Sequence, residues 1–121
     1  MRICTGCQQE LPLKDFYSKG NRPYAMCKSC FNAYCVQRWI NRKEQVIEQM
    51  GNRCADCQQS YPYPVYEFHH LDPARKEFDW TRLRLRSQFE IDKELSGCVL
   101  LCANCHRMRH ANERQAALAV K

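Results

Sequence analysis

The sequence predicts a small, zinc-stabilised α+β fold: an N-terminal zinc ribbon, a long linking helix, and a ββα unit gathered about a metal. Three observations carry this. Eight of the ten cysteines form four Cys-x-x-Cys pairs, Cys4/Cys7, Cys27/Cys30, Cys54/Cys57 and Cys102/Cys105. An apolar stripe of helical period separates the second pair from the third. Beyond it, an alternating segment ends in His69-His70, and a short apolar run enters Cys102-Ala103-Asn104-Cys105-His106-Arg107-Met108-Arg109-His110.

A chain of 121 residues makes one domain or two very small ones, and its hydrophobic fraction reaches 45% only with the cysteines counted. A core in a chain below roughly 70 to 80 residues rarely supplies more than about 3 to 5 kcal/mol, so metal staples fill the gap. The cysteine spacing decides against a secreted disulfide scaffold, because two thiols three positions apart in a tight turn can chelate one tetrahedral ion. Residues 1–16 hold no apolar run of leader length, and the expectation is a reducing, cytoplasmic compartment. No run is long enough to span a membrane. Nineteen Lys and Arg against 13 Asp and Glu give a net charge of +6, which favours a polyanionic partner without establishing one. Several zinc knuckles in so short a chain strengthen the case for nucleic acid.

Residues 1–30 read as the zinc ribbon, since the nineteen residues between Cys7 and Cys27 suit two knuckles sharing one ion. Gly6 suits the knuckle turn, and residues 11–23 read as a short irregular strand followed by a turn, forming a hairpin. Residues 31–51 make the linking helix. Val36, Ile40, Lys43, Ile47 and Met50 form one stripe, Trp39 and Val46 widen it, and Gly51 stops it. A helix of about twenty residues is roughly 30 Å long, which sets Cys27/Cys30 and Cys54/Cys57 at opposite ends. The pairing favoured is therefore Cys4, Cys7, Cys27 and Cys30 for one ion and Cys54, Cys57, Cys102 and Cys105 for the other; a nested pairing stands as the alternative. Cys35 and Cys98 are left over and read as small buried residues.

Residues 52–121 carry the remaining elements. The prolines in Tyr61-Pro62-Tyr63-Pro64 forbid regular structure, and Val65 to His69 then alternates like a strand. Ser87-Gln88-Phe89-Glu90 has capping-box form, predicting a helix over 88–95 stopped by Gly97. Val99-Leu100-Leu101 reads as a buried strand, and His106 to about Val120 as a helix with His106 and His110 on one face. Adjacent strand residues point to opposite sides, so one of His69 and His70 could bind metal while the other acts elsewhere. A satisfied structural pair is the alternative. Three imidazoles with an open position suit a divalent ion that also meets substrate. If residues 81–86 are extended, Arg82, Arg84 and Arg86 share one face, a stripe that could track phosphates or be a solvated edge. Arg107, Arg109 and Arg114 flank the histidine helix. Lys76 could add a phosphate contact and Trp80 a stacking face, with core the favoured place for Trp80.

Over residues 54 to 111 the chain resembles the HNH endonucleases, small ββα-metal (His-Me finger) nucleases often carried by phages and mobile elements. Glu67-Phe68-His69-His70-Leu71-Asp72-Pro73 resembles the family's first motif, and Cys98 to His110 its last. Cys4 to Cys30 resembles the zinc ribbon that some members carry ahead of the nuclease. The resemblance implies a nuclease domain over 52–121 and hydrolysis of DNA phosphodiester bonds, by nicking or double-strand cleavage. His70 would be the general base; His69, His106 and His110 would hold a catalytic Mg²⁺, Mn²⁺, Ni²⁺ or Zn²⁺ beside two structural Zn²⁺. Arg82, Arg84, Arg86, Arg107 and Arg109 would bind DNA in a bacterial host or phage-infected cell, with packaging or recombination machinery as a further partner. One position departs from the pattern. The family's central Asn, nine residues before the final His, is here Gly97; Ser96 could substitute in part, and Asn104 belongs to the knuckle turn. The rival reading is a non-catalytic zinc module that binds nucleic acid or protein.

Overall fold

The structure is a computed structural model that describes residues 1–119. The chain divides into two compact units, Met1–Asn41 and the part from Arg42 onward. Residues 31–51, expected to form the linking helix, fall on both sides of this division.

In the first unit, β1 (Arg2–Ile3) pairs antiparallel with β2 (Glu10–Leu11), closing the Cys4–Cys7 knuckle between them. Strand β3 (Ser18–Lys19) pairs with β4 (Arg22–Pro23) across Gly20-Asn21. The hairpin expected within residues 11–23 is thus confined to the second of these two short ladders, and Leu11 pairs back with Arg2 in the first. The reason is Pro12, which opens a 3-10 turn over Leu13–Asp15 and breaks the chain between them. Phe16 packs with Cys4 and Cys27 at the centre, flanked by Leu11, Met26 and Cys30.

Helix α1 (Lys28–Gln49) begins at the second cysteine pair. Near its start Phe31 packs edge-on against Tyr17 and Tyr24, with ring centroids 5.7 and 5.0 Å away. Val36, placed on the apolar stripe by its spacing, is 48% exposed. It lines an open groove with Tyr17, Tyr24 and Trp39. Cys35 lines the same groove and is half-buried, which corrects its expected place among the buried residues. Gly51 ends the helix at φ +97°, a left-handed conformation that only glycine adopts freely, and the Asn52 N–H donates back to the Ile47 carbonyl.

The second unit is built on a two-stranded ribbon. β5 (Tyr66–His70) runs antiparallel to β6 (Cys98–Cys102), with Tyr66 opposite Cys102, Phe68 opposite Leu100 and His70 opposite Cys98. β5 starts one residue later than predicted because Pro62 and Pro64 curl Tyr63–Val65 into a 3-10 turn. Between the strands lie α2 (Trp80–Leu83) and α3 (Gln88–Leu95), and α4 (Ala103–Ala119) leaves directly from β6. The predicted helix end near Val120 lies outside the described residues. Ser87 caps α3 as its sequence requires, its Oγ accepting from the Glu90 N–H at 3.2 Å. No helix among the described residues is long and apolar enough to cross a membrane.

Register alternation sorts the ribbon's side chains. Tyr66 and Leu100 pack with Ile47 of α1, and Phe68 joins them to a neighbouring group of Val46, Leu83 and Ile91, against which the half-buried Trp80 packs, so Trp80 belongs to the core as favoured. Leu101 and Val99 pack against Cys54, Cys57 and Cys105. The condition on which Arg82, Arg84 and Arg86 would share a face, an extended run over residues 81–86, is not met. Asp79 caps a helical turn there through the Arg82 N–H, and the chain winds on through hydrogen bonds from Leu83, Arg84, Leu85 and Arg86. Leu83 is therefore buried and Leu85 66% exposed, and Arg82, Arg84 and Arg86 share no strand face.

Ile91 is fully buried in this core. Ile91→Ala is expected to destabilise the zinc-loaded protein by about 2 to 5 kcal/mol, and Leu85→Ala by less than about 0.5 kcal/mol. Chemical denaturation of both variants checks the contrast.

Candidate metal centres and histidine site

The two knuckles share one construction. Cys4-Thr5-Gly6-Cys7-Gln8-Gln9 and Cys54-Ala55-Asp56-Cys57-Gln58-Gln59 both place the first Gln in the left-handed region, at φ 62° and 63°. In each, the Gln N–H donates to the first Cys carbonyl, and the side-chain amide donates to the carbonyl after that Cys, at 3.0 Å (Gln8 to Thr5) and 2.8 Å (Gln58 to Ala55). The side-chain bond offsets the strain of a non-glycine residue at positive φ. The knuckles differ at their third position. A Cβ on Gly6 would come within 2.9 Å of the Cys30 Cβ, so only glycine fits there. Asp56 instead takes Arg109 in a two-bond fork, at 2.9 and 2.7 Å, which ties the second knuckle to α4.

The sulfurs gather into the two favoured sets. Cys4, Cys7, Cys27 and Cys30 lie within 4.8 Å of one another, as do Cys54, Cys57, Cys102 and Cys105. Four thiolates at Zn–S distances of about 2.3 Å sit about 3.8 Å apart in a tetrahedron, and Cys57 Sγ lies 4.0 Å from Cys102 Sγ. Each set could bind one structural zinc. Backbone N–H groups aim at the sulfurs, those of Gly6, Cys7 and Cys27 at Cys4 and that of Cys105 at Cys102. Hydrogen bonds from the Cys27 and Cys7 N–H groups bring the Cys4 thiol down to about 6. Burial pushes Cys54 up, but the N–H groups of Cys57, Cys102 and Asp56 more than offset it and bring that thiol also to about 6. Cys30 is pushed up to about 12 by its bonds to Cys27 and Cys4, and Cys105 to about 12 by its bond to Cys102, burial and Cys54. Four thiols that hold one another's protons in this way fit a dication that displaces them. Cys98, outside both sets, is buried as expected, and burial raises its thiol to about 11.

A third group lies on the ribbon face that carries Glu67 and His69. His69, His106 and His110 bring their ring nitrogens within 4.8 Å of one another. His106 Nδ1 meets Glu67 Oε2 at 2.5 Å, which directs its Nε2 towards His110 Nε2, 3.0 Å away. A carboxylate behind an imidazole is the arrangement that orients metal-binding histidines. Glu113 spans the other two rings, 3.2 Å from His69 Nε2 and 3.5 Å from His110 Nδ1. His69 is 3% exposed and its Nδ1 has no hydrogen-bond partner, a buried polar atom left over. Burial holds His69 below the usual histidine range and keeps it neutral, the form that ligates. The donors fit a divalent ion, and Glu67 and Glu113 are partners that spacing alone did not expose.

His70 turns to the opposite face, as strand alternation requires. Its Nε2 lies 2.8 Å from Glu94 Oε1, which also accepts the Glu77 and Phe78 N–H groups at 3.0 and 3.4 Å. Burial pushes the Glu94 carboxyl up, but these three bonds win and hold it below the usual carboxylate range. A cavity of about 230 Å³ is lined by both His70 and His106, together with Glu67, Lys43 and Lys76. Lys43 stands on the apolar stripe of α1, and half-burial lowers its ammonium from the usual lysine range despite the nearby Glu67. A lysine amid apolar neighbours was the available signal. The arginines divide. Arg107 and Arg114 are exposed, Arg109 is held by Asp56, and Arg86 lies over the Phe78 ring with its Cζ 4.6 Å from the centroid.

No family model, curated protein or solved structure matches this chain.

Elemental analysis of purified protein is expected to find two tightly held zinc ions per chain. Cys102→Ala should retain one and lose cooperative unfolding of the second unit, since structural zinc is linked to about 10 to 16 kcal/mol at neutral pH. Cys4→Ala should retain the other zinc with the second unit still folded.

Proposed function

We propose that this chain is a metal-dependent endonuclease of HNH type, hydrolysing phosphodiester bonds in DNA with little sequence preference. The observation that carries the reading is the cavity shared by His70 and His106, which puts a candidate base beside a candidate metal-binding helix with Lys43 and Lys76 at the same opening. The motif resemblance over residues 54 to 111 supports it independently.

In this mechanism the scissile phosphate lies in the shared cavity, its charge met by Lys43 and Lys76. His70 takes a proton from a water molecule as the water oxygen bonds to phosphorus. The P–O3′ bond breaks, and solvent protonates the departing 3′ oxygen, leaving a 5′-phosphate and a 3′-hydroxyl. His69, His106 and His110 would hold a divalent ion, which would supply charge stabilisation to the phosphorane and the leaving oxygen. Base catalysis contributes about a hundredfold to ten-thousandfold, so the ion and the positioning of the phosphate supply the remainder. Arg107 and Arg114 lie exposed for backbone phosphates, giving affinity that falls with salt and reads little sequence. Arg109, with its fork engaged by Asp56, serves the fold instead.

The rival, a non-catalytic zinc module, draws on Gly97, which lacks the side chain that the family pattern supplies there. Supercoiled plasmid incubated with Mg²⁺, Mn²⁺ or Ni²⁺ separates the two readings. Nicking is expected, with a loss of about a hundredfold or more in His70→Ala. Plasmid binding without nicking in every metal, or full nicking by His70→Ala, would favour the rival. Absorbance titration with Co²⁺ of protein already carrying zinc is expected to reveal a further site that His110→Ala weakens.

A further inference from the structure

Glu94 occupies an awkward place for a carboxylate. It lies in the last turn of α3, where the helix dipole disfavours negative charge, and its side chain is only 7% exposed. A residue that breaks a local rule and is nevertheless sealed in has a specific partner to satisfy. Here one oxygen has three: His70 Nε2 and the N–H groups of Glu77 and Phe78. The bond to His70 fixes which ring nitrogen carries the proton. A carboxylate accepts, so Nε2–H donates to it and the lone pair is left on Nδ1. Among the described residues Nδ1 has no protein partner, and it is not a sealed-in orphan like His69 Nδ1. His70 also lines a second, larger cavity of about 630 Å³ that Glu94 and Gly97 border.

We propose that Glu94 is the positioning residue of this site, holding His70 with Nε2 protonated and Nδ1 presented to the attacking water, and pinning the 77–78 backbone beside it. Resting on the endonuclease reading, this assigns to Glu94 the work that a side chain at residue 97 would otherwise do. Gly97 is spent differently, its carbonyl accepting the Leu71 N–H just after β5. The longer Glu side chain reaches the base from one turn earlier on α3.

Two measurements test this. The first is ¹⁵N–¹H correlation spectroscopy of ring-labelled histidine in the zinc-loaded wild-type protein. His70 is expected as one tautomer protonated at Nε2, with a slowly exchanging Hε2 that shifts upfield or exchanges away in Glu94→Gln. A proton on Nδ1, or an Hε2 signal unmoved by Glu94→Gln, would overturn the proposal even where the variant lost stability, because the wild-type spectrum reads the contact directly. The second is plasmid nicking by Glu94→Gln protein that still carries two zinc ions. The turnover rate is expected to fall roughly tenfold to a hundredfold, with KM for plasmid within about twofold. Wild-type turnover in that variant, or a loss confined to KM, would likewise overturn it. A wild-type protein that nicks in no metal would defeat the endonuclease reading instead, while the tautomer result would still decide whether Glu94 orients His70.

Discussion

The second unit depends on one constraint, the convergence of Cys54 and Cys57 with Cys102 and Cys105. These four residues come from a knuckle, the end of β6 and the start of α4. A zinc ion shared by them would close the chain from residue 54 to residue 105 into a loop. The three clustered imidazoles, His70 and Glu94 all lie on that loop or on the helix that leaves it. The backbone N–H groups already directed at Cys4, Cys54 and Cys102 show the same priority locally, since the turns are shaped around sulfur as an acceptor.

Strand periodicity then separates roles that sequence places side by side. His69 and His70 are neighbours in the chain, yet one faces His106, His110 and Glu113 while the other faces Glu94 and the backbone at 77–78. Each receives a carboxylate of its own. A one-residue slip of β5 against β6 would exchange the two environments, so the full five-residue register is a chemical requirement as well as a structural one.

What could be read from the sequence follows from the range of the interactions. The four cysteine pairs and the Ser87 cap act over a few residues, and both zinc sets and the limits of α3 were legible. The partners of the reactive side chains were not, because Glu94 lies 24 residues from His70, Glu67 lies 39 from His106, and Asp56 lies 53 from Arg109. Nothing in a local pattern links such pairs. The conditional reading of residues 81–86 as extended fails for a local reason: the alternating Arg-Leu pattern suits a strand, but the Asp79 side chain accepts the Arg82 N–H and the chain winds into a helical turn. The shared Cys-x-x-Cys-Gln-Gln phrase was visible in the letters, but its meaning needed the backbone angles.

The fork between Asp56 and Arg109 fixes how α4 is turned about its own axis, because Arg109 stands one residue from His110 and three from His106. The imidazoles are therefore brought together by the knuckle. An ion held by three imidazoles on such a frame can leave and be replaced while the fold persists. Four thiolates on two knuckles suit an ion kept for the life of the fold, whereas an ion on the three imidazoles would be the one that a chelator strips first.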